Sequence, residues 1–146
     1  MFQMSGQGPY FGQANWFSYL HPKRLPSAIA RYQNEARRVL SVLDNILTDK
    51  EWLVGDKITY ADLAFLPWNN LLDLILGVPK ENMLDGYPNV EKWHGRMAGR
   101  PSWKKCVEMR VGLMDEQGLG PNGMPKDVKS FQEFEEKGRS EAAADE

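Results

Sequence analysis

Tyr10, Phe11, Asn15 and Tyr19 bring three aromatic rings and one amide into about three helical turns, and Phe11, Asn15 and Tyr19 recur every four residues on one helix face. Such aromatic clusters are mostly core, although an apolar wall with one convergent amide is also what a pocket for a small organic molecule needs. Trp16 and Phe17, between them, read as ordinary core. Arg31 offers a guanidinium fork that suits a carboxylate; placed four residues before Glu35, it also suits a surface pair that stabilises by roughly 0.2 to 0.5 kcal/mol. Cys106 falls on an apolar stripe and is expected to be a small buried hydrophobe. His94, beside Trp93, is expected to be a helix-surface or satisfied histidine, because no Ser or Cys nucleophile can be assigned next to it. One cysteine excludes an internal disulfide, and two histidines give no zinc-ligand spacing, so no metal site is expected. No residue is assigned a catalytic role.

These side chains must be held by helices. Thr59 and Asp62 have capping-box spacing: the hydroxyl suits a backbone N–H of the first turn, and the carboxylate reaches back to the N–H of Thr59. Both are read as structural. Ile58 and Leu63 are placed to close a hydrophobic staple, and Gly55-Asp56 supplies the turn that delivers the chain. From Leu63 to Leu76 almost no position is polar, which predicts a helix buried on all sides, bent or broken at Pro67. A first helix is expected from about Pro9 to Leu20, with glycines interrupting the turn upstream, and a second from about Leu25 to Thr48. Ile29, Tyr32, Ala36, Val39, Leu43 and Ile46 form the core stripe of that second helix. Pro88 opens a helix with Val90, Trp93 and Met97 inward. After Arg100-Pro101 a last core helix runs through Trp103, Cys106, Val107, Met109, Val111 and Leu113. The expected class is all-α, a five-helix bundle over residues 1–117. Residues 118–146 are expected to be a linker and a largely disordered charged tail, with at most a loosely docked helix over Asp127 to Lys137.

The run Trp52-Leu53-Val54-Gly55-Asp56 into Thr59-Tyr60-Ala61-Asp62 resembles the C-terminal domain of glutathione transferases. Gly8-Pro9-Tyr10-Phe11-Gly12-Gln13-Ala14, Ile29-Ala30-Arg31-Tyr32-Gln33-Asn34-Glu35 and Phe65-Leu66-Pro67-Trp68-Asn69-Asn70 resemble its Nu-class and fungal Ure-type branch. Tyr87-Pro88-Asn89-Val90, Trp93-His94 and Arg100-Pro101 extend the likeness. The resemblance implies glutathione as co-substrate and a small electrophile as substrate, in detoxification or secondary metabolism. It implies that Tyr10, Phe11, Asn15 and Tyr19 line the electrophile pocket, and that Arg31 contacts glutathione bound in a neighbouring subunit. The thioredoxin-like domain that activates glutathione in this family is not seen in the sequence. A homodimer or a partner is therefore expected over the face that domain would cover. The alternatives are a non-catalytic helical binding or regulatory domain, and a truncated gene product.

At 146 residues and 42% hydrophobic composition, one domain with its own core is the expected content. A net charge of -2, with basic pairs scattered, predicts no nucleic-acid partner. No apolar run approaches the roughly 20 residues of a bilayer span, and no targeting segment opens the chain, so a cytoplasmic protein without membrane contact is expected.

Overall fold

The amino-terminal helix runs without a break from Gln3 to Leu20. It is α-helical over Gly8–Asn15 (α1) and wound as π-helix over Gln3–Gln7 and Trp16–Leu20 in the computed structural model of the chain, which describes residues 1–128 and 130–144. The expected interruption at the upstream glycines does not occur. Pro9 cannot donate to the Ser5 carbonyl, and the ladder passes this gap by widening, so that the Gly8 N–H bonds five residues back to the Gln3 carbonyl. His21 is extended ahead of Pro22 and ends the helix. Pro26 then opens α2 (Pro26–Ile46), which packs on α1 and buries Ala36, Val39, Leu40 and Leu43. Ile46, at the end of the predicted stripe, is exposed.

The run after Thr59 is not one helix enclosed on all sides. It forms three short ones, α3 (Tyr60–Leu63), α4 (Leu66–Asn69) and α5 (Leu72–Leu76). Pro67 accounts for the first break, since it removes the donor that would bond the Leu63 carbonyl. Asp62, Phe65, Leu66, Asn69, Leu72, Ile75 and Leu76 face inward, whereas Leu63, Ala64 and Pro67 face out. Leu63 is 44% exposed, so the expected staple with Ile58 contributes little. Gly77 closes α5 in the left-handed region (φ 66°), with the Val78 N–H on the Asp73 carbonyl.

α6 (Pro88–Ala98) carries Val90, Trp93 and Met97 into the core as predicted. Its own turn supplies no side-chain cap; α2 does. The Asp44 carboxylate accepts from the N–H groups of Asn89 (2.8 Å) and Val90 (3.0 Å), at the positive end of the helix dipole. Asp44→Ala is expected to lower the unfolding free energy by about 1 to 2 kcal/mol, measured by urea denaturation at neutral pH. An unchanged midpoint would show that the contact carries no stability.

α7 (Pro101–Glu116) departs from expectation: it buries no residue, and Cys106, Met109, Val111 and Leu113 are exposed. The apolar stripe is present, but α6 is its main helix neighbour and the segment around Pro121 and Lys126 crosses only its end, through Arg110 and Asp115. In the charged tail α8 spans Phe131–Ala144, beyond the helix expected over Asp127 to Lys137. Lys129, Asp145 and Glu146 lie outside the described residues, and so does that part of the disorder expectation. Among the described residues there is no strand, and the class is all-α.

Candidate functional site

The best-specified polar centre is Asp62, which is fully buried. Its Oδ2 accepts from the Thr59 N–H (2.9 Å) and hydroxyl (3.0 Å), and its Oδ1 accepts from the Leu53 N–H (2.9 Å) and the Trp93 indole N–H (2.9 Å). The Thr59 hydroxyl in turn accepts from the Ala61 N–H (3.2 Å), completing the cap. Burial by itself pushes this carboxyl up, but the bonds from Leu53, Thr59 and Trp93 outweigh it and hold the pKa below the ordinary value. A carboxylate with every lone pair engaged positions helices and has no capacity left for proton transfer. Arg96 reinforces the approach to this turn, lying 5.3 Å from the centroid of the Trp52 ring and donating to the Glu51 carbonyl.

Beside this centre lies a groove of about 470 Å³, open to solvent. Phe2, Met4, Leu43, Ile46, Leu53, Val54, Tyr60, Ala64 and Phe65 give it an apolar lining, and Tyr60 is 87% exposed at its rim. It offers apolar surface with neither a nucleophile nor a base.

The residues predicted from the sequence to form a pocket do not line this groove. Phe11 is enclosed in the core, with Trp68 edge-on at 6.4 Å, so it is not available as a pocket wall. Its burial corrects that expectation: the Phe11 face of α1 packs on α4 and α5. Tyr10 lies 6.4 Å from Tyr32, Asn15 is half-buried, and Tyr19 is at the surface. Burial first, and then the Asp73 carboxylate, push the Tyr19 phenol above its ordinary pKa, which keeps it a hydrogen-bond donor. Arg31 is exposed and does not take Glu35, which pairs instead with Arg38 at 2.7 Å.

Three buried polar groups were not legible as such. Gln7 and Asn69 are fully buried and bonded to each other, Gln7 Nε2 donating to Asn69 Oδ1 at 2.7 Å. The only sequence signal is an amide flanked by glycines, a composition that reads as a surface loop. His94 is 7% exposed with Nδ1 unpartnered, neither a surface residue nor a satisfied one, because α6 turns it onto the same side as Val90 and Met97. Burial, and secondarily the charge of Lys80, lower its pKa to about 4. Among the described residues no three His, Cys, Asp or Glu side chains converge on a metal-sized site, and no helix is long and apolar enough to cross a membrane.

Residues 9–101 match the family described as the glutathione S-transferase C-terminal domain. The chain is 42% identical over 123 residues to glutathione S-transferase 1 of Schizosaccharomyces pombe, covering 78% of this chain and 54% of that protein. It is 36% identical over 138 residues to the transcriptional regulator URE2 of Saccharomyces cerevisiae, covering 73% and 38% respectively. Among solved structures it resembles the glutathione transferase URE2P6 of Phanerochaete chrysosporium in complex with oxidized glutathione. The TM-score is 0.70 at 45% identity, over 77% of this chain and 50% of that one. The chain thus spans about half the length of the curated glutathione S-transferases it matches.

Proposed function

This chain belongs to the glutathione S-transferase C-terminal domain family, and from that premise we propose that it is the helical, electrophile-facing half of a Ure-type glutathione transferase. The observation that carries the reading is an open apolar groove of about 470 Å³ beside the capped turn of a family-matched helix core. Holding an electrophile against a thiolate in a partly dry pocket is the physical basis of conjugation. The described residues supply apolar wall for such a pocket and no group that would activate the thiol. Glutathione is then the co-substrate, held by a thioredoxin-like domain. Arg31, exposed and not engaged by Glu35, is the residue we assign to a glutathione carboxylate across a dimer. The exposed Met4, Val54 and Tyr60 around the groove favour a further domain or subunit over this face. Detoxification or tailoring of secondary metabolites in the cytoplasm fits such an activity.

Glutathione titration by calorimetry and a chlorodinitrobenzene conjugation assay, on one preparation, test this reading. The chain by itself is expected to show no turnover. Conjugation is expected to appear on adding a thioredoxin-like half taken from a relative. A folded sample that stays inert in both states would overturn the proposal and favour a non-catalytic binding domain.

A further inference from the structure

We propose that α7 is a self-recognition surface, and that two copies of this chain pair through it, antiparallel, about a two-fold axis. The helix carries its charges against its own dipole. Arg100, Lys104 and Lys105 stand at its amino-terminal end and Asp115 and Glu116 at its carboxy-terminal end, with no acidic residue in the first turn and no basic one in the last. Cations at the positive end and carboxylates at the negative end each oppose the field of the backbone. Lys126 relieves Asp115, at 2.6 Å, but among the described residues Lys105 and Glu116 have no ion-pair partner. A second α7 lying antiparallel corrects both mismatches, because it sets an acidic end against the basic one and opposes the two dipoles.

The row that meets the second copy is self-complementary in size as well as in sign. Lys105, Met109, Gly112 and Glu116 follow one another at steps of four, three and four, which places them on one helix face. All of them are exposed, and nothing lies within 4 Å of where a side chain at Gly112 would begin. Turned antiparallel about a point between Arg110 and Val111, the row sets Lys105 opposite Glu116 of the second copy and Met109 opposite its Gly112, and both pairings occur twice. A methionine thus sits over a position without a side chain, the large-on-small fit that lets facing layers interdigitate. Leu113, also more than half exposed, and a depression of about 340 Å³ along Cys106, Met109 and Met114 add apolar surface beside the row. A seam of about three turns belongs to the small, transient class of interfaces. The pairing uses neither Arg31 nor the groove and needs no glutathione, so it goes beyond the transferase reading and the two fail separately.

Sedimentation velocity of the full chain, reduced and at low salt, over a concentration series tests this. A monomer–dimer equilibrium is expected, weakening as salt is added. Lys105→Glu is expected to raise the dissociation constant about five- to thirty-fold, since two surface pairs become two like-charge contacts, and adding Glu116→Lys is expected to restore it. Gly112→Leu is expected to abolish the dimer while the fold persists, because leucine has open space there and favours helix over glycine. On oxidation the unaltered chain is expected to form no intermolecular disulfide, because the two copies of Cys106 lie about 13 Å apart along the axis in this register. A disulfide-linked dimer would overturn the antiparallel order. A chain that stays monomeric up to about 100 μM, a double reversal that restores nothing, or a dimer that survives Gly112→Leu would overturn the proposal and give this face to a partner other than a second copy.

Discussion

Asp62→Ala is expected to destabilise the chain by about 3 to 5 kcal/mol, a large share of the roughly 5 to 15 kcal/mol that holds a domain together. The carboxylate satisfies the Leu53 and Thr59 N–H groups, the Thr59 hydroxyl and the Trp93 indole, so alanine strands four donors at once. Asp62→Asn separates charge from geometry. Its carbonyl can still accept from Leu53 and Trp93, but its NH2 would face the Thr59 N–H, donor against donor, and about half the loss should remain. Thr59→Ala removes only the cap hydroxyl and should cost ~1 kcal/mol. Urea denaturation followed by Trp fluorescence orders the three variants. If Asp62→Ala costs no more than Thr59→Ala, the hub is merely a cap and the argument fails. Because the folded pKa lies below the unfolded one, the contribution of Asp62 is present above the ordinary carboxyl value. It is lost as pH falls through the depressed value.

The reach of Asp62 shows where sequence reading stops. A serine or threonine followed three residues later by an acid is a local pattern, and it announces the Thr59–Asp62 pairing from the chain alone. The bonds from Leu53 and Trp93 span 9 and 31 residues, and nothing local reports them. Proline was similarly legible at most positions, with Pro22, Pro26, Pro88 and Pro101 marking helix boundaries and Pro67 the break before α4, but Pro9, expected at a helix start, lies inside the unbroken amino-terminal helix. Apolar periodicity identified stripes correctly but could not say what covers them. The α6 stripe meets the core, while the α7 stripe faces outward. The same limit undid Phe11, whose ring type fits a ligand wall and a core equally well; packing against Trp68 decided for the core. Arg31 kept its expected exposure but lost Glu35 to Arg38, a choice between neighbours on one helix that sequence spacing alone leaves open.

His94 should set the first acid-sensitive step of this fold. Burial and, secondarily, Lys80 lower its pKa to about 4, against an unfolded value near 6.5. The folded chain therefore holds a neutral imidazole over a range in which the unfolded chain binds a proton. Stability rises with pH across that window and is lost as pH falls from about 6.5 toward 4. The full difference amounts to about 3 kcal/mol, of which about 2 kcal/mol is gone by pH 5. Chemical denaturation at a series of pH values should show this slope, and His94→Phe should flatten it because phenylalanine cannot titrate. With only two histidines in the chain, NMR titration can follow His94 directly against His21. A His94 resonance that titrates near its ordinary value in the folded protein would remove the basis for the slope. The Asp62 loss belongs below the ordinary carboxyl pKa, so the two transitions separate along the pH axis. His94→Phe should remove the upper one and leave the lower in place, since Asp62 draws its bonds from Trp93, Thr59 and Leu53, none of them from His94.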